Sequence, residues 1–104
     1  MSRVHGGAGD QDPRAVAALA EARQRIAAVA KLRRAELEMT QEQVAEALGC
    51  SVAYYQRVEY AKVNLSLRFL AHLAVVLGCE LEDMLQPRER RLRARRSTAK
   101  KAAN

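Results

Sequence analysis

The sequence of 104 residues predicts an all-α fold, a compact bundle of five helices whose first helix is extended at its N-terminus. Polar residues that favour helix N-caps precede four helix-length segments, and Gly49 and Gly78 follow two of them. No segment keeps the alternation of a β-strand for long. Because hydrophobic residues make up 49% of the chain, we expect one domain over residues 12–86, with its core in residues 26–85.

The first helix is predicted to begin at Pro13, because Asp12 suits the N-cap and proline suits the first helical position. No helix breaker follows before about residue 36, and alanine is abundant. The apolar side chains that share one face are Leu19, Ala22, Ile26, Val29, Ala30 and Leu37. Residues 1–11 hold three glycines and no periodicity, so we expect them to be disordered.

Two short helices joined by a tight turn follow. Thr40 and Gln43 match a capping box, and the helix that they start ends at Gly49. Ser51 caps the next helix, over residues 51–61, in which Tyr55 faces inward. This succession is the pattern of a helix-turn-helix, although a plain helical hairpin has the same features.

Ser66 is predicted to cap a fourth helix that ends at Gly78, and a short fifth helix, ELEDML, is closed by Pro87. The inward stripe of the fourth helix consists of Leu70, Leu73, Ala74 and Leu77. Further apolar residues lie on its other faces, and a helix of this kind is generally buried on more than one side. We therefore expect a homodimer formed through Phe69, Val76 and Met84, with scattered surface apolar residues as the alternative.

The net charge of +6 comes almost entirely from the end of the chain. Residues 1–86 hold ten Lys and Arg against eleven Asp and Glu, whereas residues 87–104 hold eight against Glu89 alone. We expect this basic tail to be disordered. It has two interpretations, an arm that binds a phosphate backbone and a solvated end that only keeps the protein soluble.

The sequence favours neither an enzyme nor a metalloprotein. Cys50 and Cys79 each follow a Leu-Gly pair, where a small apolar side chain just past a helix end packs inward. We find no carboxylate pair, Ser/His/Asp set or zinc spacing, and expect no catalytic residue, metal or cofactor. No apolar run is long enough to span a membrane and no signal peptide is present, so we expect a cytoplasmic protein without disulfides or a membrane partner.

Residues in register across most of the predicted domain define a family resemblance. They are Gln41, Val44, Ala45, Leu48, Gly49, Ser51, Arg57, Val58, Glu59, Lys62, Asn64, Ser66, Leu67, Leu70, Ala74, Leu77, Gly78, Leu81 and Leu85. With them the chain resembles the Cro/phage-repressor (XRE-like) helix-turn-helix family. The resemblance implies a repressor-like bundle of five helices that binds double-stranded operator DNA, usually as a two-fold dimer.

The resemblance implies contacts to the DNA backbone. Gln41 would hydrogen-bond a phosphate at the start of the second helix. Thr40 and Ser51 would combine helix capping with phosphate contact. Lys62 and Asn64, in the loop after the third helix, would meet phosphates as well.

The resemblance also implies that the third helix is a recognition helix. Val52 and Ala53 would take its leading groove-facing positions, where methyl groups contact thymine. Arg57, one turn further on, would form a bidentate contact to guanine O6 and N7. Tyr54 and Gln56 flank these positions and would reach bases or backbone.

Arg34 and Glu59 fall where the family places a buried ion pair between the first and third helices. A bidentate contact there would orient the recognition helix; the alternative for Arg34 is a surface charge beside Arg33. The sequence departs from the family at Ala61, where glycine is common, and at Leu65, where proline is common, so the loop in between is expected to differ in shape.

Two functions follow as hypotheses. The first is a sequence-specific transcriptional regulator that inserts the helix over residues 51–61 into the major groove, as a dimer. The second is an antitoxin-like protein that binds a partner toxin through its N-terminal helix or tail and autoregulates through its helix-turn-helix; a small toxin reading frame beside its gene would favour it. A helix-turn-helix that contacts protein instead of DNA is a further alternative, since Val52 and Ala53 are apolar.

Overall fold

The computed structural model describes residues 12–86. The elements are α1 (Pro13–Glu36), α2 (Gln41–Leu48), α3 (Val52–Glu59), α4 (Leu67–Val76) and a 3-10 helix (Leu81–Leu85). No strand occurs in this part of the chain, and the predicted all-α class is confirmed. The predicted disordered N-terminus (1–11), the basic tail (87–104) and the stop at Pro87 lie outside the described residues.

A side-chain oxygen caps the N-terminus of each of the four α-helices, as the sequence predicts. Asp12 accepts a hydrogen bond from the backbone N–H of Arg14 at 2.8 Å. Ser51 and Ser66 each accept from the N–H three residues on, at 3.0 Å. Thr40 and Gln43 form the reciprocal capping box. These bonds satisfy backbone donors that have no partner inside the helix, which fixes where each helix begins.

All four α-helices end in the same way. After α2 the N–H of Cys50 donates to the carbonyl of Ala45, inside the helix. Gly49, which follows the last residue of α2, has a φ of +75°. This is the Schellman arrangement, which requires a left-handed residue. The other left-handed residues are Glu38 after α1, Ala61 after α3 and Gly78 after α4. Two helix ends therefore place a residue with a Cβ where glycine would be less strained.

The arrangement also explains the two cysteines. Each follows the left-handed glycine of its turn and packs against the core, as predicted, and neither forms a disulfide within residues 12–86. Burial raises the pKa of the Cys50 thiol. They act as small apolar side chains at helix ends.

The predicted short fifth helix is present as a 3-10 helix over residues 81–85. Glu80 and Asp83 cap its start reciprocally, and the N–H of Glu80 donates to Asp83 at 3.0 Å. Gln86 is extended, with ψ at 144°, as expected of a residue that precedes proline in the sequence. Only seven residues separate the left-handed Gly78 from the extended Gln86, and a segment this short suits a 3-10 helix, which is used in short pieces.

The core lies where the four α-helices and the 3-10 helix face one another. Its buried residues are Ile26, Val29, Ala30, Val44, Ala45, Leu48, Tyr55, Val58, Leu70, Leu73, Ala74, Leu77 and Met84. Leu19 and Leu37, predicted on the inner face of α1, are exposed instead. The buried residues of α1 all lie in 26–30, so its N-terminal half extends past the core. Within residues 12–86, no helix combines the length and apolarity that crossing a bilayer demands.

Arg33 occupies a position on the inner stripe of α1 without disturbing the core. Its Nε donates to the carbonyl of Leu77 at 2.9 Å, and its Nη1 pairs with Glu36 at 2.6 Å. A cation is favourable there because carbonyls at a helix C-terminus carry partial negative charge. Arg33 thus joins α1 to the end of α4.

Ala61→Gly should stabilise the protein by about 0.5–1 kcal/mol, because a left-handed φ costs an L-residue roughly 1–2 kcal/mol and the freedom of glycine in the unfolded chain offsets only part of this. Thermal unfolding followed by circular dichroism would show a raised Tm. The control is Ala47→Gly, at an exposed position inside α2, which should cost about 1 kcal/mol. A Tm lowered by both substitutions would contradict the assigned strain at Ala61.

Candidate nucleic-acid interface

Helix α3 has one buried side and one exposed side. Tyr55, Val58 and Glu59 are buried. Ala53 and Arg57, four residues apart, are exposed on the opposite side, as is Tyr60, whose residue surface is 64% accessible. Because residues three and four apart share a helix face, these side chains form one outward surface, which we call the α3 face: Ala53, Gln56, Arg57 and Tyr60.

Arg57 is the free cation of the α3 face. Its guanidinium makes no hydrogen bond or ion pair to any of residues 12–86. By contrast, all three nitrogens of the Arg34 guanidinium on α1 donate, to Glu59 and to the carbonyl of Met39. The planar fork of Arg57 therefore keeps all its donors for an external partner.

Behind the α3 face lies the predicted ion pair. Arg34 donates from Nε to Glu59 Oε2 at 2.7 Å and from Nη2 to Glu59 Oε1 at 3.2 Å. Glu59 is only 2% exposed, and Tyr55 donates its hydroxyl to Oε2 at 2.6 Å. The Nη1 of Arg34 also donates to the carbonyl of Met39 at 3.1 Å, which ties the turn before α2 to the same cluster.

Two glutamines continue the cluster toward the surface. Gln41 donates from Nε2 to Glu59 Oε1 at 3.0 Å, and Gln56 donates from Nε2 to Gln41 Oε1 at 3.1 Å. A carboxylate only accepts hydrogen bonds, so Glu59 orients the amide of Gln41, which in turn orients that of Gln56. Gln56 is left with its Oε1 and one N–H unused by residues 12–86. Gln41, predicted as a phosphate contact, keeps one N–H for that purpose.

The cluster perturbs the titration of its members. Burial pushes the pKa of the Glu59 carboxyl up, but hydrogen bonds from Arg34, Tyr55 and Gln41 outweigh this and hold the pKa below its ordinary value. Burial, followed by the hydrogen bond to Glu59, raises the pKa of the Tyr55 hydroxyl. The hydrogen bond to Glu59 raises the pKa of Arg34. The ionised pair is thus the stable form at neutral pH.

Thr40 and Ser51, the N-cap residues of α2 and α3, are exposed. Each uses its hydroxyl oxygen to accept a backbone N–H, at 3.0 Å. A hydroxyl that accepts still has its own proton to donate. Capping and an external anion contact are therefore compatible in these two residues.

Val52 and Tyr54 are less exposed than predicted for groove-facing residues. Both are half-buried and pack against the core. The ring of Tyr54 meets that of Phe69 edge to face, with centroids 5.5 Å apart. This contact braces α3 against α4, since edge-to-face aromatic pairs are favourable at that distance.

In the loop after α3, Lys62 and Asn64 are exposed. Lys62 makes no ion pair with any described residue. The side-chain carbonyl of Asn64 accepts a hydrogen bond from Arg23 of α1. The loop thereby gains a basic neighbour that is 41 residues away in sequence.

The predicted dimer surface needs correction at Met84, which is 0% exposed and belongs to the core. It is the buried residue of the 3-10 helix, and the thiol of Cys79 approaches its sulfur at 3.5 Å. Phe69 and Val76 are half-buried against the core. The exposed apolar residues of α4 are instead Leu67, 70% accessible, and Val75, 75% accessible.

Three features of this surface were not predicted from the sequence: Tyr60, Arg23 and the hydrogen bond from Tyr55 to Glu59. The last had a signal, since Tyr55 and Glu59 are four apart on one helix and can touch. Tyr60 lies at helical spacing from Gln56 and Arg57, so its position on the α3 face was also readable. Residues 12–86 hold no group of three or more His, Cys, Asp or Glu side chains able to bind a metal ion.

Glu59→Gln should remove a part of the free energy of unfolding that depends on pH. Because the pKa of Glu59 lies below its ordinary 4.5 in the folded chain, the unfolded chain binds this proton more tightly. The contribution of the carboxylate is fully present above pH 4.5 and is lost as the pH falls through the lowered pKa.

Urea unfolding between about pH 7 and about pH 3 measures this, and the gap in free energy of unfolding between wild type and Glu59→Gln should narrow toward the acid end. The pKa of Asp12, the N-cap of α1, is also lowered, by its hydrogen bonds from Arg14, so Asp12→Asn is the comparison; its gap should narrow less, because water screens this more exposed carboxylate. A gap that stays constant with pH would show that Glu59 is not ionised in the folded protein.

Comparison with known proteins agrees with this geometry. A family model described as helix-turn-helix matches residues 29–84, more than half of the chain. Among solved structures, the crystal structure of the hypothetical transcription factor NHTF from Neisseria matches with 28% identity and a TM-score of 0.66, over 69% of this chain and 83% of that one. No curated protein matches. The chain therefore belongs to the helix-turn-helix family, in the Cro/C1-type branch that its residues resemble.

Proposed function

We propose that this protein is a sequence-specific transcriptional regulator that inserts α3 into the major groove of operator DNA and acts as a dimer. The observation that carries the proposal is the α3 face, which presents a free guanidinium on a helix held from behind by a buried ion pair. Membership of the helix-turn-helix family and the similarity to a protein described as a transcription factor support it. We place the protein in the reducing cytoplasm, where cysteines such as Cys50 and Cys79, which form no disulfide among the described residues, stay reduced.

Three side chains of the α3 face supply base readout. Arg57 has the fork geometry for guanine O6 and N7. Gln56 offers one acceptor and one donor in a fixed orientation, which suits the N6 amine and N7 of adenine. The methyl group of Ala53 suits the thymine methyl.

Backbone contacts surround this readout. The free hydroxyl protons of Thr40 and Ser51 and the remaining N–H of Gln41 are donors at the starts of α2 and α3. Lys62 adds a cation beyond the end of α3. Such donors fix the register of a protein on the duplex without reading its sequence.

Arg57→Ala should relax base preference at one position of each half-site and weaken binding to the preferred duplex by about 1–3 kcal/mol. Selection of duplexes from a random pool gives the preference, and fluorescence anisotropy gives the affinity. Arg68→Ala is the control, since Arg68 is an exposed arginine of α4 that lacks an ion pair among the described residues. Its removal should leave base preference intact. The same selected sequence for wild type and Arg57→Ala would overturn insertion of the α3 face.

The dimer is proposed to form across α4. Leu67 and Val75 are exposed there, with Ala71 between them on the same side. This surface would be covered by the same surface of a second copy, as two-fold symmetry requires, whereas Phe69 and Val76 lie on the other flank of α4. Two copies would then address half-sites about one helical turn of DNA, roughly 34–36 Å, apart.

Val75→Glu should give monomers in light scattering, because two carboxylates would be buried together at the two-fold axis. The exposure of Val75 lets the monomer fold normally, which circular dichroism verifies. Val16→Glu is the matched control on the exposed part of α1 and should remain dimeric. If Val16→Glu dissociates the protein and Val75→Glu does not, the interface is on α1.

A further inference from the structure

The N-terminal extension of α1 carries one arginine that differs from the others on this helix. Four of the five arginines of α1 pair with carboxylates: Arg14 with Asp12, Arg25 with Glu21, Arg33 with Glu36 and Arg34 with Glu59. Arg23 has no acidic partner among residues 12–86. Its guanidinium donates instead to the neutral side chain of Asn64.

The contact between Arg23 and Asn64 leaves hydrogen-bond donors unused on both side chains. A guanidinium has five N–H donors and no acceptor, and one donor of Arg23 is used. Asn64 accepts this bond with its carbonyl oxygen, so both N–H donors of its amide remain without a partner among the described residues. Lys62, two residues before Asn64, adds an exposed ammonium.

The chemistry of this cluster selects an anion. The Arg23 guanidinium and the neutral amide of Asn64 are in contact, and Lys62 lies two residues before Asn64 in the chain. Neither cation forms an ion pair with a described residue. A phosphate group, which accepts several hydrogen bonds and carries negative charge, matches such a set of donors. Arginine is the side chain best suited to bind phosphate at two points.

We infer that Arg23, Lys62 and Asn64 form a phosphate-binding site for the DNA backbone, and that the extension of α1 serves to supply Arg23 to it. The inference rests on the proposed function, because it takes the phosphate to belong to the duplex that α3 reads. Asn64 lies five residues after Glu59, the last residue of α3. A site in the loop that follows α3 would contact the sugar–phosphate strand beside the groove that α3 enters.

The salt dependence of DNA binding tests the site. A cation that neutralises one phosphate contributes about 0.9 to the slope of log affinity against log salt concentration. Arg23→Gln should therefore lower this slope by about 0.9, so that between about 50 and about 200 mM salt its affinity falls about 3.5-fold less than that of the wild type. Base preference in the random-pool selection should not change, since phosphate contacts carry no sequence information.

Arg25→Gln is the matched control. It removes the same charge two residues away, from a side chain that is already paired with Glu21 at 3.2 Å, and should leave the slope near that of the wild type. Circular dichroism of both variants verifies that α1 is intact. Equal slopes for Arg23→Gln, Arg25→Gln and the wild type would overturn the site, and so would equally lowered slopes for the two variants, since net charge alone would then account for the effect.

Asn64→Ala separates positioning from simple charge. If Arg23 and Asn64 hold one phosphate together, the double variant Arg23→Gln/Asn64→Ala should bind more tightly than the product of the two single losses predicts. Strictly multiplicative losses would show that the two side chains act apart and would overturn a shared site. Failure here leaves the proposed function standing if Arg57→Ala still relaxes base preference, whereas a wild type without affinity for any duplex would remove both.

Discussion

The carboxylate of Glu59 receives hydrogen bonds from three helices, through Arg34 of α1, Gln41 of α2 and Tyr55 of α3. Helix α3 has eight residues, too few to be stable alone, so tertiary contacts must fix its orientation. Removing one partner of a buried ion pair costs roughly 3–5 kcal/mol, because the other charge is left without compensation. Because the cluster fixes the orientation of α3, the side chains on the opposite side of the helix are held in place as well. A helix needs such a fixed orientation in order to present side chains to base edges.

The ends of the helices were largely readable because their signals are local. Asp12, Thr40, Ser51 and Ser66 each act through a backbone N–H two or three residues away, which the sequence alone specifies. The left-handed turn at Ala61 follows instead from the need to reverse the chain after α3. Alanine does not favour a left-handed conformation, so the residue type does not predict this turn. Leu19 and Met84 were misplaced because helical periodicity gives the face of a residue but not whether another element covers that face.

The candidate interface was predicted in part. The α3 face follows from spacing, and Arg34 and Glu59 were paired through the family resemblance. The hydrogen bond of Gln56 to Gln41 spans 15 residues and that of Arg23 to Asn64 spans 41. Contacts this distant along the chain leave no pattern in a single sequence, since they depend on how the turns set α2 and the loop after α3 against their neighbours. The structure thus adds which donors remain free, and these are what define the external partner.

The most direct measurement is a titration of isotopically labelled protein with the duplex selected from a random pool, followed through the backbone amide signals. If α3 lies in the groove, the largest shifts should fall on Ala53, Arg57 and Tyr60, with Lys62 next and the buried residues of α4 unchanged. Saturable shifts confined to a distant surface, such as that around Val16, with the amides of α3 unmoved, would contradict recognition by this helix.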